Sequence, residues 1–313
     1  MVPTAADLGP VTRASAASAR TRLVERVGAY MALTKPRIIE LLLVTTVPGM
    51  VLAAGGWPSW PVIVFTLVGG ACAAAAASVL NCIYDRDIDA VMARTQSRPL
   101  VRRAVSVHAA RIFAGILTVL SVALLAIGTT LLAAVMAAAS IAWYGFLYTR
   151  VLKRRTRHST LLGGFPGAAP VLIGYAAVAG NVSMAAVVLF SVVFCWQLPH
   201  FWSLATKYRE DYAQAGVPML PVVEPIRSVA LCSVLWTYAT VAVSLLLPLA
   251  NDRIGVCYLT VAGLAGLWFL LQAHQFFQRA RRSPSDPRPM LLFHTSVAYM
   301  CLLPIGLVVD ILL

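Results

Sequence analysis

The chain has 313 residues, 60% of them apolar and only 12% charged, and its mean hydropathy is +0.81. So few polar residues cannot cover a water-facing surface, which excludes a soluble globular domain and indicates a polytopic membrane protein. The net charge of +13 does not signal nucleic-acid binding, because the basic residues flank apolar stretches instead of covering a soluble domain.

Residues 1–28 are rich in Ala, Ser and Arg and hold no apolar run long enough for a signal-peptide core. A disordered cytoplasmic tail near anionic lipid is expected there, although a mitochondrial transit peptide shares this composition. Residues 29–313 read as a single domain. A span needs about 20 mainly apolar residues. Nine stretches qualify, at roughly 38–56, 61–83, 110–129, 131–149, 161–180, 183–205, 228–249, 254–275 and 291–312. The expected fold class is all-α, with nine transmembrane helices around a central cavity and a cytoplasmic polar cap.

Lys and Arg accumulate in cytoplasmic loops. Of the 25 such residues, 24 precede span 1 or follow spans 2, 4, 6 and 8, and Arg253 alone falls in the opposite loops. The N-terminus is therefore expected in the cytoplasm and the C-terminus outside. A bacterial cell membrane is expected ahead of the mitochondrial inner membrane. The six cysteines have no paired spacing, which argues against a disulfide framework or a zinc site.

Entering span 1, LTKPRI carries Lys35 and Arg37, either snorkelling anchors or phosphate contacts. At the end of span 2, Asn81, Asp85 and Asp89 recur at four-residue steps in NCIYDRDID. On a helix these fall within about 80° of one face over about 12 Å. One amide and two carboxylates suit Mg2+, a hard cation often completed by a substrate's phosphates. Asp87 would point about 160° away and serves better as a partner than as a ligand. The plainer alternative is that each carboxylate neutralises a neighbouring arginine. Against it, only twelve residues are acidic, and five of them (Asp85, Asp87, Asp89, Glu210, Asp211) occupy two short segments.

Beyond this triad, DAVMARTQSRPL puts Arg94 and Arg98 one helical turn apart before Pro99. Guanidinium forks suit a diphosphate; a topology-setting basic loop is the other reading. Leaving span 4, YTRVLKRRT supplies Lys153 and Arg154, which share the choice between anchor and phosphate contact. After span 6, LPHFWSLATKYREDYAQAGVPMLP places His200, Lys207 and Asp211 within about 40° of one helical face, with Tyr208 at its flank. Lys207 would hold a phosphate, and Asp211 would orient it or serve a second metal position. His200 sits near the inner end of a span, where a histidine is costly unless it meets a partner or a cavity. An interhelical hydrogen bond is the competing explanation.

LTKPRI, NCIYDRDIDAVMARTQSRPL, YTRVLKRRT, LPHFW and KYREDYAQAGVPMLP, in this order, resemble the protohaem IX farnesyltransferases (haem O synthases) of the UbiA-type intramembrane aromatic prenyltransferase superfamily, over roughly residues 30–310. The NxxxDxxxD element marks the superfamily, whereas LPHFW with DYAQAGVPML marks the haem-modifying branch. The superfamily's second Asp-rich motif is replaced here by Tyr208 and Tyr212, as in the haem branch, and Asp211 is the nearest remaining carboxylate. A second departure is RRTRHST, which lacks the proline and asparagine expected after the threonine.

The resemblance implies that farnesyl diphosphate and haem B are joined to give haem O. It also implies Mg2+ on Asn81, Asp85 and Asp89, with Arg94 and Arg98 assisting the leaving diphosphate. Lys35, Arg37, Lys153, Arg154, His200, Lys207, Tyr208, Asp211 and Tyr212 are then the candidate substrate-binding residues. Membrane lipid and haem-handling or oxidase-assembly proteins are the implied partners. Competing readings are a relative acting on a quinone precursor or chlorophyll-like acceptor, and a secondary transporter, whose ionisable groups would mark a permeation path.

Overall fold

The structure, a computed structural model, describes the backbone of residues 10–313 and side chains from residue 22 onward. All regular secondary structure among the described residues is helical. The first helix runs over Pro10–Thr34. The tail expected to be disordered over residues 1–28 thus lies partly outside the described residues, and from Pro10 the chain is helical instead. Ala and Arg are strong helix formers, which accounts for the difference. Leu33 at the end of this helix is buried, and Tyr30 meets Phe113 edge-on at 5.0 Å.

Nine helices among the described residues are long and apolar enough to cross a membrane. They are span 1 (Pro36–Ala54), span 2 (Trp60–Tyr84), span 3 (Val107–Gly128), span 4 (Leu131–Arg155), span 5 (Ser159–Ala179), span 6 (Met184–Lys207), span 7 (Ile226–Leu245), span 8 (Val256–Arg282) and span 9 (Pro289–Leu312). The chain is an integral membrane protein with the expected order of spans. Spans 4 and 8 continue to Arg155 and Arg282, past the expected 149 and 275, because their last turns are basic and carry no hydropathy signal.

Two cores hold the bundle together. Spans 1, 5, 6, 7, 8 and 9 share one, built around Tyr258, Phe269 and Tyr299, and an alanine-rich core joins spans 2, 3, 4 and 5. Span 5 serves both. It crosses span 1 closely: a Cβ on Gly49 would stand 2.4 Å from the Val171 carbonyl oxygen, and one on Gly174 would stand 2.4 Å from that of Thr46. Small residues at such a crossing let two backbones approach where no hydrophobic effect drives helices together.

At the end of the bundle away from the arginine-rich loops, Asp310 of span 9 caps span 8. Its carboxylate accepts from the N–H groups of Gly255 (2.8 Å), Cys257 (3.1 Å) and Tyr258 (2.8 Å). These are donors that a helix start leaves without an intrahelical partner. Arg253, the exception to the basic-loop pattern, donates to the Gly55 carbonyl at the end of span 1. A cation at a helix C-terminus is favoured by the helix dipole, which gives this arginine a structural reason to stand on that side.

Candidate active site

The α-helix of span 2 stops at Tyr84, Asp85 adopts φ −90° and ψ 6°, and a short helix resumes over Arg86–Val91. The break does not rotate the triad out of line. The Asp85 N–H still donates to Asn81 O (2.9 Å) and the Asp89 N–H to Asp85 O (2.7 Å), so a four-residue ladder persists. Asn81, Asp85 and Asp89 are all buried, whereas Asp87 is exposed on the other side.

Cations of the chain converge on these oxygens. Lys35 Nζ donates to Asn81 Oδ1 at 2.6 Å, Lys153 Nζ to Asp85 Oδ2 at 2.5 Å, and Arg98 Nη1 to Asp89 Oδ2 at 2.5 Å. Asn81 Nδ2 donates to Asp85 Oδ2 (2.8 Å) and to Thr149 Oγ1 (3.3 Å). Asp85 Oδ1 is buried and accepts no hydrogen bond, and Arg154 Nη2 stands 3.9 Å from it. An unsatisfied buried oxygen costs about 1–3 kcal/mol, so its presence calls for a ligand. Burial lowers the Lys35 pKa below its ordinary 10.5. Burial also opposes charge on Arg98, but the Asp89 carboxylate beside it outweighs that and raises the pKa overall.

Two local distortions bring the cations in. Lys35 has φ 55°, a left-handed conformation costing a non-glycine residue about 1–2 kcal/mol, and it forms the sharp turn between the first helix and span 1. Pro36 then opens span 1 at a position where its missing N–H is not needed. In span 4 the stretch Trp143–Leu152 is a π-helix. Its wide turn lets Thr149 Oγ1 donate to the Tyr144 carbonyl at 2.7 Å, with Thr149 and Lys153 both facing the triad. π-turns inside α-helices recur at functional sites.

The loop after Val91 consists of turns, not the helix expected to align Arg94 with Arg98. The two arginines therefore diverge. Arg98 reaches Asp89, while Arg94 Nη2 donates to Tyr212 Oη at 3.0 Å and Arg94 Nε lies 3.8 Å from Asp211. The Arg94 guanidinium carbon is 5.3 Å from the Tyr208 ring centre and 5.2 Å from that of Tyr212. The tyrosines standing where aspartates are usual thus support an arginine by cation–π contact. A small core of Ile88, Met92, Ala205, Val217 and Met219 holds this loop against the segment after span 6.

His200, Lys207 and Asp211 do not form the shared wall expected from helical counting. The helix breaks at Tyr208 (φ −108°), so 100° per residue does not extend to Asp211. Lys207 is exposed, as is Arg37 at the start of span 1, and neither takes part in the bonds described above. His200 is buried between the rings of Trp196 (4.6 Å) and Phe293 (4.5 Å), and its Nδ1 is 2.9 Å from Ser296 Oγ. Arg154 holds both Asp87 oxygens at 2.7 Å and the Tyr84 carbonyl at 2.6 Å. Its guanidinium lowers the Asp87 pKa to about 2. Arg157 pairs with Glu224, away from the triad.

Sequence reasoning missed Thr149, Phe293 and Ser296. Nothing local marks them, since each meets its partner across 68 or more positions of chain. Among the described residues no three His, Cys, Asp or Glu side chains cluster as a metal site. Two carboxylates and one amide nevertheless offer hard oxygens, one of them orphaned, and this donor set fits a Mg2+ ion completed by phosphates.

A helical membrane bundle with buried carboxylates and converging cations at one end defines an intramembrane enzyme acting on a phosphorylated substrate. The chain belongs to the UbiA prenyltransferase family, whose profile matches residues 42–297. It is 52% identical to Protoheme IX farnesyltransferase 1 of Saccharopolyspora erythraea, an alignment covering 90% of this chain and 89% of that one. It is 50% identical to the Protoheme IX farnesyltransferase of Salinispora tropica, over 92% of this chain and 89% of the relative. Among solved structures, a digeranylgeranylglyceryl phosphate synthase superposes with a TM-score of 0.75 at 18% identity, covering 92% of this chain and 99% of that one. A UbiA homolog from Archaeoglobus fulgidus bound to DMAPP and Mg2+ superposes with a TM-score of 0.61 at 15% identity, covering 90% and 99%. At these identities the two structures establish the fold.

Proposed function

We propose that this chain transfers the farnesyl group of farnesyl diphosphate to a vinyl group of protohaem IX (haem B), with addition of water, to give haem O. The observation that carries the chemistry is Asp85: fully buried, with one oxygen unpartnered, amid Lys35, Lys153, Arg98 and Arg154. The names of relatives about half identical over nine-tenths of the chain support the choice of prenyl donor and acceptor.

Asn81, Asp85 and Asp89 would hold Mg2+, which when bound supplies charge neutralisation to the diphosphate. Lys35, Lys153 and Arg98 then shift from the triad toward diphosphate oxygens, and Arg94, braced by Tyr208, Tyr212 and Asp211, donates from the opposite side. Arg37 and Lys207, exposed at the same end of the bundle, meet the incoming diphosphate. As the C1–O bond of the farnesyl group breaks, the departing diphosphate takes the electron pair. The terminal vinyl carbon bonds to C1, and positive charge develops on the vinyl carbon next to the porphyrin. A water oxygen adds there and releases a proton. Phe293, partly exposed and stacked on the buried His200, offers an apolar ring for the macrocycle.

We place the arginine-rich end in the cytoplasm of a bacterial cell, with the farnesyl tail and macrocycle entering from the bilayer and haem-handling or oxidase-assembly proteins as partners. The test supplies purified protein with Mg2+, farnesyl diphosphate and either protohaem or 4-hydroxybenzoate, followed by mass spectrometry of the product. A hydrated farnesyl adduct of protohaem alone is expected. An adduct of the benzoate alone overturns the acceptor assignment.

A further inference from the structure

A cavity of about 540 Å³ lies at the ends of spans 2, 3 and 4, on the other side of the Arg86–Val91 helix from the catalytic triad. Its wall carries Arg86, Arg111, Arg150 and Arg154 against a single acid, Asp87. Asp87 is already consumed, because Arg154 holds both of its oxygens at 2.7 Å. Arg150 packs over the Tyr84 ring at 5.9 Å, an aromatic contact that leaves its charge uncompensated. Arg86 and Arg111 are exposed and pair with no acid among the described residues. Three positive charges in excess therefore converge on one concave space, a cost in repulsion that an anion would relieve.

The level of the cavity identifies the anion. It is bounded by the last turn of span 2, the first turn of span 3 and the last turns of span 4, three helix ends at one membrane boundary. Immediately toward the hydrocarbon, Phe146 (48% exposed) on span 4 is open to the outside of the bundle. The Phe146 ring stands 5.9 Å from the ring of Tyr84 on the cavity wall. A phosphate group at the arginines would thus have acyl chains lying beside this aromatic pair. Basic pockets between transmembrane helices recognise lipid headgroups by this combination.

We propose that this cavity is a binding site for the headgroup of one anionic phospholipid, separate from the diphosphate site. The bound headgroup ties together the ends of spans 2, 3 and 4. Through Arg154, which touches Asp87 in the cavity wall and stands 3.9 Å from the unpartnered oxygen of Asp85 in the triad, it steadies a cation beside that oxygen.

Native mass spectrometry of the full chain released from detergent tests this, with phosphatidylglycerol or phosphatidylcholine added in equal amounts. The wild type is expected to retain one phosphatidylglycerol selectively. Loss of Arg86 and Arg111 together (R86Q/R111Q) is expected to weaken retention roughly thirtyfold, the equivalent of two interfacial basic contacts. A charge-matched control, R227Q/R279Q, should retain the lipid as the wild type does. Equal retention of the two lipids by the wild type overturns the proposal, and that arm stands even if the double variant fails to fold. Unchanged retention by R86Q/R111Q also overturns it. Thermal unfolding separates the sources of phosphate: phosphatidylglycerol should raise the Tm and millimolar inorganic phosphate should not. Equal protection by inorganic phosphate overturns the lipid assignment.

Discussion

Replacing Asp85 by Asn (D85N) preserves shape and removes one charge at a position with no solvent exposure. Its partner Lys153 has a side chain only 12% exposed, so the ammonium cannot recover its lost counter-ion from water. Breaking one side of a buried pair costs about 3–5 kcal/mol, and the Asn amide oxygen, which can still accept from Lys153 Nζ, places the expected loss at the lower end. Lys153→Met (K153M) in the same chain removes the stranded cation, so the double variant should be more stable than the sum of the two single losses by at least about 1 kcal/mol. Turnover should respond differently. The carboxylate is needed where charge develops on the leaving group, so D85N should lose about 10²–10³-fold in kcat, or about 2.7–4 kcal/mol, and K153M should not restore it. Denaturant unfolding in detergent of all four proteins, together with the protohaem assay, completes the cycle. Additive destabilisation, or D85N turnover within about threefold of wild type, refutes the reasoning.

His200→Ala removes the middle ring of a three-ring stack, worth about 1–3 kcal/mol, and should raise KM for protohaem about tenfold while leaving farnesyl diphosphate binding unchanged; equal loss of both would indicate a structural role. Because burial lowers the Lys35 pKa below 10.5, its proton is lost at lower pH than from a free lysine, and farnesyl diphosphate binding should weaken as pH rises through that lowered value. Lys35→Arg stays charged throughout, so its binding titration should be flat over the same window; parallel curves would remove Lys35 from the binding account. Asp310→Ala strips the acceptor from three backbone N–H groups and should cost about 1–3 kcal/mol of unfolding free energy with kcat unchanged; a fall in kcat of the folded fraction would contradict that separation.

Hydropathy carries the number and order of spans, because only long apolar runs satisfy the bilayer. The inward triad was legible for a sturdier reason than helical continuity: the backbone breaks at Asp85, yet the bonds from Asp85 to Asn81 and from Asp89 to Asp85 keep the spacing of four. Helical counting failed where a break is not bridged in this way. At Tyr208 the face containing His200 is lost before Asp211, and after Val91 the chain turns and sends Arg94 and Arg98 to different partners. Partners joined only by the fold, such as Thr149 with Asn81 or Ser296 with His200, leave no trace in local pattern. The roles of Tyr208 and Tyr212 were hidden for a chemical reason, since a position that looks like a lost metal ligand supports an arginine instead.

The π-helical stretch Trp143–Leu152 separates two phases within one span. Residues 131–142 form regular α-helix, and their rotation about the axis is set by packing against spans 3 and 5. Below them, the widened turn accommodates an additional residue and resets the angle at which Lys153 leaves the helix. Deleting one residue from the stretch would restore an α-helical turn, break the five-residue bond from Thr149 to the Tyr144 carbonyl and alter the height and angle at which Lys153 meets Asp85, without changing the residues of the upper half. Insertions and deletions in this stretch are therefore a means of retuning the chemistry of the site while the upper half of the span keeps its residues.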